Sequence, residues 1–106
     1  MARCDRIIIR RVQDNDPDPS YLEQAGFEDR LAEYNDGMFA FEGVYAEATV
    51  VVRNTVETIR SGGLWGIESD SGEDYFAEIA SEEVDILRTI LAELGIHELP
   101  EPEEES

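Results

Sequence analysis

The chain has 106 residues, which is enough for one small domain with a single hydrophobic core. It carries 26 Asp and Glu against 8 Arg and no lysine, so its formal net charge is −18 at pH 7. That balance excludes direct nucleic-acid binding through a basic groove, because such a contact needs clustered Lys and Arg. Apolar residues make up 42% of the chain, too much for a wholly disordered acidic protein.

Membrane and export signals are not expected from this sequence. It holds no apolar run of about 18 residues and no basic, then apolar leader, so we predict neither a membrane span nor a secretion signal. The single cysteine, Cys4, has no partner for an internal disulfide and fits a reducing cytoplasm. We expect a cytoplasmic protein that is a monomer or a weak dimer.

The first third of the chain is predicted to form a strand, a polar loop and a short helix. A β-branched run within residues 3–13 indicates the strand. The loop follows at residues 14–19, where two prolines favour an extended backbone, and Ser20 is a candidate helix cap. We predict the helix over residues 28–35, with Gly37 as its terminator.

The middle of the chain is predicted to form a β-hairpin. Apolar and polar residues alternate over residues 38–53, and the parity switches at Gly43, which predicts a bulge there. Asn54 marks a turn, and residues 55–65 form the third strand, which Gly62 and Gly63 bend at its far end.

A long amphipathic helix is predicted to follow. Ser71 and Asp74 have the spacing of a capping box at the start of this helix, with Asp in place of the usual Glu or Gln. Gly95 ends the helix. An alternative is a kinked pair of helices that divides at Ser81. The apolar stripe, with its flanking residues, consists of Phe76, Ala80, Val84, Leu87, Leu91 and Leu94, widened by Tyr75, Ile79 and Ile90. Residues 97–106 are predicted to be a disordered acidic tail.

The predicted fold class is therefore α+β, because neither the sheet nor the helix can bury its apolar side alone. We expect a small antiparallel sheet of about three strands, packed against the long C-terminal helix. A short helix lies between strands 1 and 2. The single domain covers residues 1–96.

The sequence provides no recognisable catalytic set. The single histidine, His97, precedes the tail, and Cys4 lies close to the N-terminus, so neither forms a nucleophile–base pair. Carboxylates are so abundant that no pair stands out as a general acid and base. We predict no enzyme, no catalytic residue and no cofactor.

A calcium loop is the nearest metal motif. Asp14, Asp16 and Asp18 alternate like the first ligands of an EF-hand. Pro19 and Ala25 occupy the positions that require Gly and Glu, so the match fails at its most diagnostic points. No metal site is predicted, and a calcium-dependent module remains a minor alternative.

Negative charge is the main functional signal. Acids are concentrated in residues 14–36, where only Arg30 opposes them, while six other arginines lie in or beside the predicted strands. A compact domain of this length spans roughly 33 Å, and B-DNA of that length carries about 20 phosphates. One acidic face would then compete for a basic DNA channel. The candidate partner-binding acids are Asp14, Asp16, Asp18, Glu23, Glu28, Asp29, Glu33 and Asp36.

Residues 58–75, TIRSGGLWGIESDSGEDY, resemble a signature of small, mostly uncharacterised proteins of phages and mobile elements. The resemblance extends to residues 14–22 and to the final helix. The signature carries no known chemistry. From the residues alone we expect Trp65 and Ile67 to pack under the last helix, with the glycines forming the turn.

Size, acidity and this resemblance make the protein look like the acidic inhibitors that phages use against host defence, such as anti-CRISPR proteins and antirestriction DNA mimics. The resemblance implies a binding protein in the host cytoplasm. Its partner would be a Cas subunit with a basic DNA-binding channel, and Tyr21, Phe27 and Tyr34 are candidate apolar anchors. Two alternatives are an antirestriction mimic and a phage accessory or structural protein whose acids serve solubility.

Overall fold

A mixed five-stranded sheet with one long helix forms the body of the protein in the computed structural model, which describes residues 2–105. The strands are β1 (Ala2–Gln13), β2 (Phe41–Val52), β3 (Thr55–Arg60), β4 (Leu64–Glu68) and β5 (Pro102–Glu104). The helices are α1 (Glu28–Asn35) and α2 (Glu73–Glu93), with a 3₁₀ turn at Pro19–Glu23. The predicted α+β class, the short helix between the first two strands and the C-terminal helix are confirmed.

The number of strands was predicted wrongly. The sheet order is β3-β2-β1-β5, and β4 also pairs with β2. Gly62 and Gly63 do more than bend a third strand: the chain leaves the sheet there, and Gly63 has a φ of +84°. The two resulting strands pair with successive parts of β2. The sheet is mixed rather than antiparallel because β5 runs parallel to β1.

Part of the predicted acidic tail belongs to the sheet. Pro102–Glu104 lie beside Ile7–Ile9 of β1, so the prediction of disorder is wrong for these residues. Arginines of β1 supply the cationic partners that a run of glutamates otherwise lacks. Arg6 Nε lies 2.9 Å from Glu103 Oε2, and Arg10 Nη1 lies 3.1 Å from Glu105 Oε1.

The contact between Arg6 and Glu103 predicts that attachment of β5 depends on pH. The hydrogen bond from Arg6 lowers the pKa of Glu103, so the contribution of this contact to the attachment is fully present above the ordinary pKa of glutamate and is lost as pH falls through the lowered value. Glu103→Gln removes the charge, and we expect it to weaken the attachment of β5 even at neutral pH. Amide chemical shifts of the strand test this, with the exposed Glu101→Gln as control. Unchanged shifts in Glu103→Gln contradict the prediction.

The bulge predicted at Gly43 exists only relative to one neighbouring strand. Glu42 pairs with Ile67 and Val44 with Leu64, so the register shifts across Gly43 on the β4 side. On the other side, β1 pairs across Gly43 without interruption.

The main core lies between α2 and one face of the sheet. Leu87 and Leu91 are fully buried, in one cluster with Ile7, Ala46 and Ala48. The stripe is shorter than predicted, because Tyr75 and Leu94 are 45% and 57% exposed. The other buried members of the predicted stripe are Phe76, Ile79, Ala80 and Val84. α2 is one continuous helix, so the alternative of two helices is wrong.

The two ends of α2 differ in how well they were predicted. Gly72 is the N-cap, without a side-chain cap bond, and Ser71 Oγ instead donates to the carbonyl of Glu68 at 2.6 Å. The capping role predicted for Ser71 is therefore wrong. The predicted end at Gly95 is confirmed: its φ is +83°, and the next amide, Ile96, donates to the Leu91 carbonyl at 2.9 Å.

Residues 14–40 form an extension at one end of the sheet, here called the acidic lobe. Its small core contains Leu22, Phe39 and Phe41, the last contributed by β2. The helix bounds predicted for α1 are confirmed, and Gly37 follows it with a φ of +74°. Asp18 rather than Ser20 caps the 3₁₀ turn, since its Oδ1 accepts the amide of Ser20.

Arg30 fastens the acidic lobe to β4 and the turn after it. Its Nη2 lies 2.6 Å from Glu68 Oε2 and 2.8 Å from Asp70 Oδ1, and its guanidinium lies 3.9 Å from the ring centroid of Phe39. We expect Arg30→Ala to speed amide hydrogen exchange in the lobe and to leave the centre of the sheet unchanged. Arg30→Lys keeps the charge without the planar fork and should have an intermediate effect. Equal exchange in all three proteins contradicts this prediction.

The molecule is elongated, with principal extents of 54 × 24 × 24 Å. The expected length of roughly 33 Å was too short, because it assumed a compact shape. Strands of 12 residues already span about 40 Å, and the acidic lobe lies beyond their end. Within residues 2–105, neither helix has the length and apolar character needed to cross a membrane.

Candidate partner-binding surface

All eight predicted partner-binding acids lie in the acidic lobe, and three of them hold its backbone. Asp14 Oδ1 accepts the amide of Asp16, and its Oδ2 accepts the amide of Gly66, both at 3.0 Å. Asp18 accepts from Ser20 at 3.2 Å, and Glu28 accepts from Gly26 at 3.0 Å. These side chains stabilise turns, and hydrogen bonding lowers the pKa of Asp18 and of Glu28.

The other five predicted acids differ in how much charge they present. Glu33 pairs with Arg30 at 3.1 Å. The remaining four are exposed, and within residues 2–105 their carboxylates form no salt bridge or hydrogen bond: Asp16, Glu23, Asp29 and Asp36. These four side chains therefore carry the negative charge that the lobe can offer to a partner.

Arginine neutralises the sheet much more than the acidic lobe. In the described part of the chain, every arginine except Arg53 forms a salt bridge, and most of these arginines lie on β1 and β3. Glu47 receives both Arg10 at 3.2 Å and Arg60 at 2.9 Å. Burial raises the pKa of Glu47, but the hydrogen bonds and positive charges of these two arginines lower it overall.

A second acidic surface lies on the solvent side of α2 and was not among the predicted site residues. Its members recur at spacings of mostly three or four, opposite the apolar stripe, and are all exposed. Among residues 2–105, only Asp85 of this set has an arginine partner, Arg88 at 3.5 Å. This α2 acidic row consists of Asp74, Glu78, Glu82, Asp85 and Glu93. The helical spacing of three and four residues that predicts the apolar face of α2 also identifies this acidic row on the opposite face.

The α2 acidic row begins at the end of the sheet that carries the lobe. Glu73, at the first turn of α2, lies 3.1 Å from Arg11, and Arg11 also pairs with Glu42 at 2.9 Å. From there the row extends about 28 Å along the helix axis, at 1.5 Å per residue. Uncompensated acids are thus present at one end of the molecule and along one side.

The three candidate apolar anchors mostly pack within the lobe. Tyr21 meets Phe27 edge-on, with ring centroids 5.6 Å apart, and Tyr34 lies 5.2 Å from Phe41. Phe27 is 38% exposed, whereas the two tyrosines are half-buried. Of the three, Phe27 offers the most apolar surface to a partner.

Trp65 lies on the sheet face opposite α2, so its predicted position under the helix is wrong. It is 47% exposed and stacks on Tyr45, with ring centroids 6.2 Å apart. Ile67 does pack against the N-terminal half of α2, as predicted. On a regular strand, residues i and i+2 share one face. Gly66, which lies between Trp65 and Ile67, has a φ of +72°, and this turns Trp65 to the other face.

Gly43 provides the space that Trp65 occupies. A Cβ at Gly43 would lie 2.1 Å from Trp65 Cε3, so we expect Gly43→Ala to displace the indole and destabilise the protein by about 1–3 kcal/mol. Trp65 is the only tryptophan, so its emission spectrum reports the displacement. Gly62→Ala is the control, since a Cβ there meets nothing within 4 Å. Identical spectra for the two variants contradict the prediction.

The residues considered for catalysis and metal binding lie apart. Cys4 is buried and its burial raises the pKa of the thiol, whereas His97 is exposed after α2. Asp14 and Asp18 turn their carboxylates to backbone amides. Across residues 2–105 no three His, Cys, Asp or Glu side chains are grouped as a metal site would require.

Comparisons with models of known protein families, with curated proteins and with solved structures found no match. The distribution of charge and exposed aromatic surface therefore carries the functional inference.

Proposed function

We propose that this protein is a phage-encoded anti-CRISPR protein that acts as an acidic mimic of double-stranded DNA. It binds a crRNA-guided surveillance complex in the host cytoplasm, as a monomer or weak dimer, and prevents the complex from binding target DNA. It performs no chemistry. One observation carries the proposal: uncompensated acids occupy the lobe and one side of an elongated body, while most arginines form salt bridges on the sheet.

The amount of charge is sufficient for competition with a duplex. B-DNA as long as this molecule, 54 Å, carries about 32 phosphates, and the net charge of −18 is somewhat more than half of that. Acids four residues apart on α2 are spaced about 6 Å along the axis, against about 3.4 Å per phosphate along one DNA strand. The α2 acidic row thus has roughly half the linear charge density of a strand.

The proposed mechanism is electrostatic docking in a basic channel. Carboxylates of the lobe and of the α2 acidic row pair with Arg and Lys side chains that otherwise hold the duplex. Such association is steered, fast and strongly dependent on salt. Exposed ion pairs are individually weak, so affinity also needs an apolar anchor, for which Phe27 and Trp65 are the exposed aromatic candidates.

The alternative is that the acids only keep a phage accessory or structural protein soluble. Solubility requires net charge but no particular arrangement of it. The concentration of arginines in the sheet favours mimicry, because it leaves only Arg30 in the lobe and Arg88 on α2 to oppose the two acidic surfaces. An antirestriction mimic has the same surface and differs only in its target.

Displacement of a labelled target duplex from purified crRNA-guided complexes tests the proposal, with fluorescence anisotropy as the readout. We expect the protein to release the duplex from at least one complex, and to do so less effectively as salt is raised. A restriction enzyme with its own duplex is the parallel sample, and release there alone identifies an antirestriction mimic. Retention of the duplex in every sample contradicts DNA mimicry.

A further inference from the structure

The open face of the sheet, opposite α2, carries an exposed aromatic platform formed by Trp65 and Tyr45. Their rings stack at an interplanar angle of 28°, and Trp65 remains 47% exposed. A groove of about 480 Å³ lies against the platform, and its lining includes Asp14, Asp16 and Arg60. Exposed tryptophan is costly to leave in water, and well-positioned Trp and Tyr are typical anchors of protein interfaces.

The platform is held rigidly by the loop that precedes it. Trp65 Nε1 donates to the Gly62 carbonyl at 3.2 Å, and the amide of Gly63 donates to Glu83 Oε1 at 2.8 Å. Glu83 is only 6% exposed, although it lies on a helix rich in surface acids. Ser61 anchors the start of the loop through its hydroxyl, which accepts the amide of Ala46 at 2.9 Å. A rigid aromatic surface loses little entropy when a partner binds.

Charge around the platform favours a cationic occupant. Arg60 pairs with Glu47, and Arg10 pairs with both Glu47 and Glu105, so these two arginines are neutralised by two glutamates. The groove then retains the charges of Asp14 and Asp16, and neither has a salt-bridge partner among residues 2–105. A positively charged group in the groove is attracted by both charges and can pair with the free carboxylate of Asp16, whereas an anion is repelled.

The chain itself shows which cation suits its aromatic rings. Guanidinium groups lie over Phe76, Phe39 and Tyr45, at 3.5, 3.9 and 5.4 Å from the ring centroids. In the described part of the chain Trp65 carries no such group, although the indole is the ring that attracts cations most strongly. The exposed face of Trp65 can make the contact with a guanidinium that three other rings of this protein make.

We infer that Trp65 is the anchor of the partner interface and that it receives an arginine side chain of a protein partner. The guanidinium stacks on the indole and pairs with Asp16 at the edge of the groove. This inference rests on the proposed function, since the DNA-binding arginines of the target complex are the intended occupants. Stacking of a nucleobase on Trp65 is disfavoured, because the phosphates of a nucleic acid would meet Asp14 and Asp16 and find both nearby arginines already paired.

Titration with short peptides tests the inference, with calorimetry for affinity and the fluorescence of Trp65 for location. The probes are a peptide of alternating arginine and glycine, the equivalent lysine peptide, and single-stranded oligothymidylate. We expect the wild-type protein to bind the arginine peptide about two- to fivefold more tightly than the lysine peptide. Trp65→Ala should abolish this preference, and Trp65→Phe should retain part of it.

Two charge-matched variants locate the site. Asp16→Asn should weaken binding of the arginine peptide more than Asp29→Asn, because both remove one exposed charge but only Asp16 lines the groove. Equal affinity for the two peptides, an unchanged preference in Trp65→Ala, or comparable binding of the oligonucleotide overturns the inference. The peptide titration contains no surveillance complex, so it is independent of the duplex-displacement experiment. Failure to displace a duplex would contradict the proposed function but would leave the result of the peptide titration unchanged.

Discussion

Reversal of the four exposed lobe acids, Asp16, Glu23, Asp29 and Asp36, to lysine is expected to weaken binding to a DNA-binding complex roughly 100-fold. Each exposed ion pair contributes only a small factor, but reversal replaces four attractions with four repulsions from the same basic channel. Competition with labelled target duplex measures the loss. The variant should remain folded, because these carboxylates make no salt bridge or hydrogen bond within residues 2–105.

A matched control separates the position of the charges from their number. Reversal of Asp5, Glu57, Glu98 and Glu101 changes the net charge equally, at exposed positions outside the lobe and the α2 acidic row. We expect this control to retain most of the binding. An equal loss in both variants contradicts a defined acidic surface and supports bulk charge. Asp18 and Glu28 are unsuitable targets, because their carboxylates hold backbone amides of the lobe.

Leu87→Ala is expected to have the largest effect on stability, about 2–5 kcal/mol. Leu87 is fully buried between α2 and the sheet, beside Ile7 and Ala48, so truncation leaves a cavity that a rigid sheet cannot close. A small domain has a total stability of about 5–15 kcal/mol. The loss is therefore a large fraction of the whole, and urea denaturation measures it directly.

Ile86→Ala is the control for Leu87→Ala, since it makes a similar truncation at the adjacent position of the same helix. Ile86 is 45% exposed, so we expect it to cost under about 1 kcal/mol. Similar small losses at both positions would mean that α2 does not carry the main core. A large loss at Leu87 alone supports the packing of α2 on β1 and β2.

Periodicity explains which elements the sequence predicts well. The apolar stripe of α2 and the alternation in β2 are long enough to average over individual exceptions, and Gly37 and Gly95 end the helices because they adopt positive φ. The length of the stripe was predicted less accurately, because Tyr75 is 45% exposed and Leu94, the C-cap of α2, is 57% exposed.

The missed features depend on contacts between distant residues. β5 is attached through arginines nearly a whole chain length away, and no local pattern predicts a strand in a Pro- and Glu-rich segment. Trp65 was placed on the wrong face because the inversion at Gly66 is invisible to a period-two pattern.

The predicted acidic site combines residues of two kinds. Composition identifies residues 14–36 as acidic, but only geometry separates capping carboxylates such as Asp14 from free ones such as Asp29. The α2 acidic row was within reach of the sequence, because its spacing mirrors the apolar stripe. It was not among the predicted site residues, because the acids are densest in residues 14–36.

The most direct test of DNA mimicry is a tagged pull-down from a lysate that contains both CRISPR and restriction systems, loaded at low salt and washed with rising salt. The account predicts recovery of a Cas subunit that elutes with salt and that duplex DNA displaces. Recovery of nothing, or only of phage particle components, contradicts it.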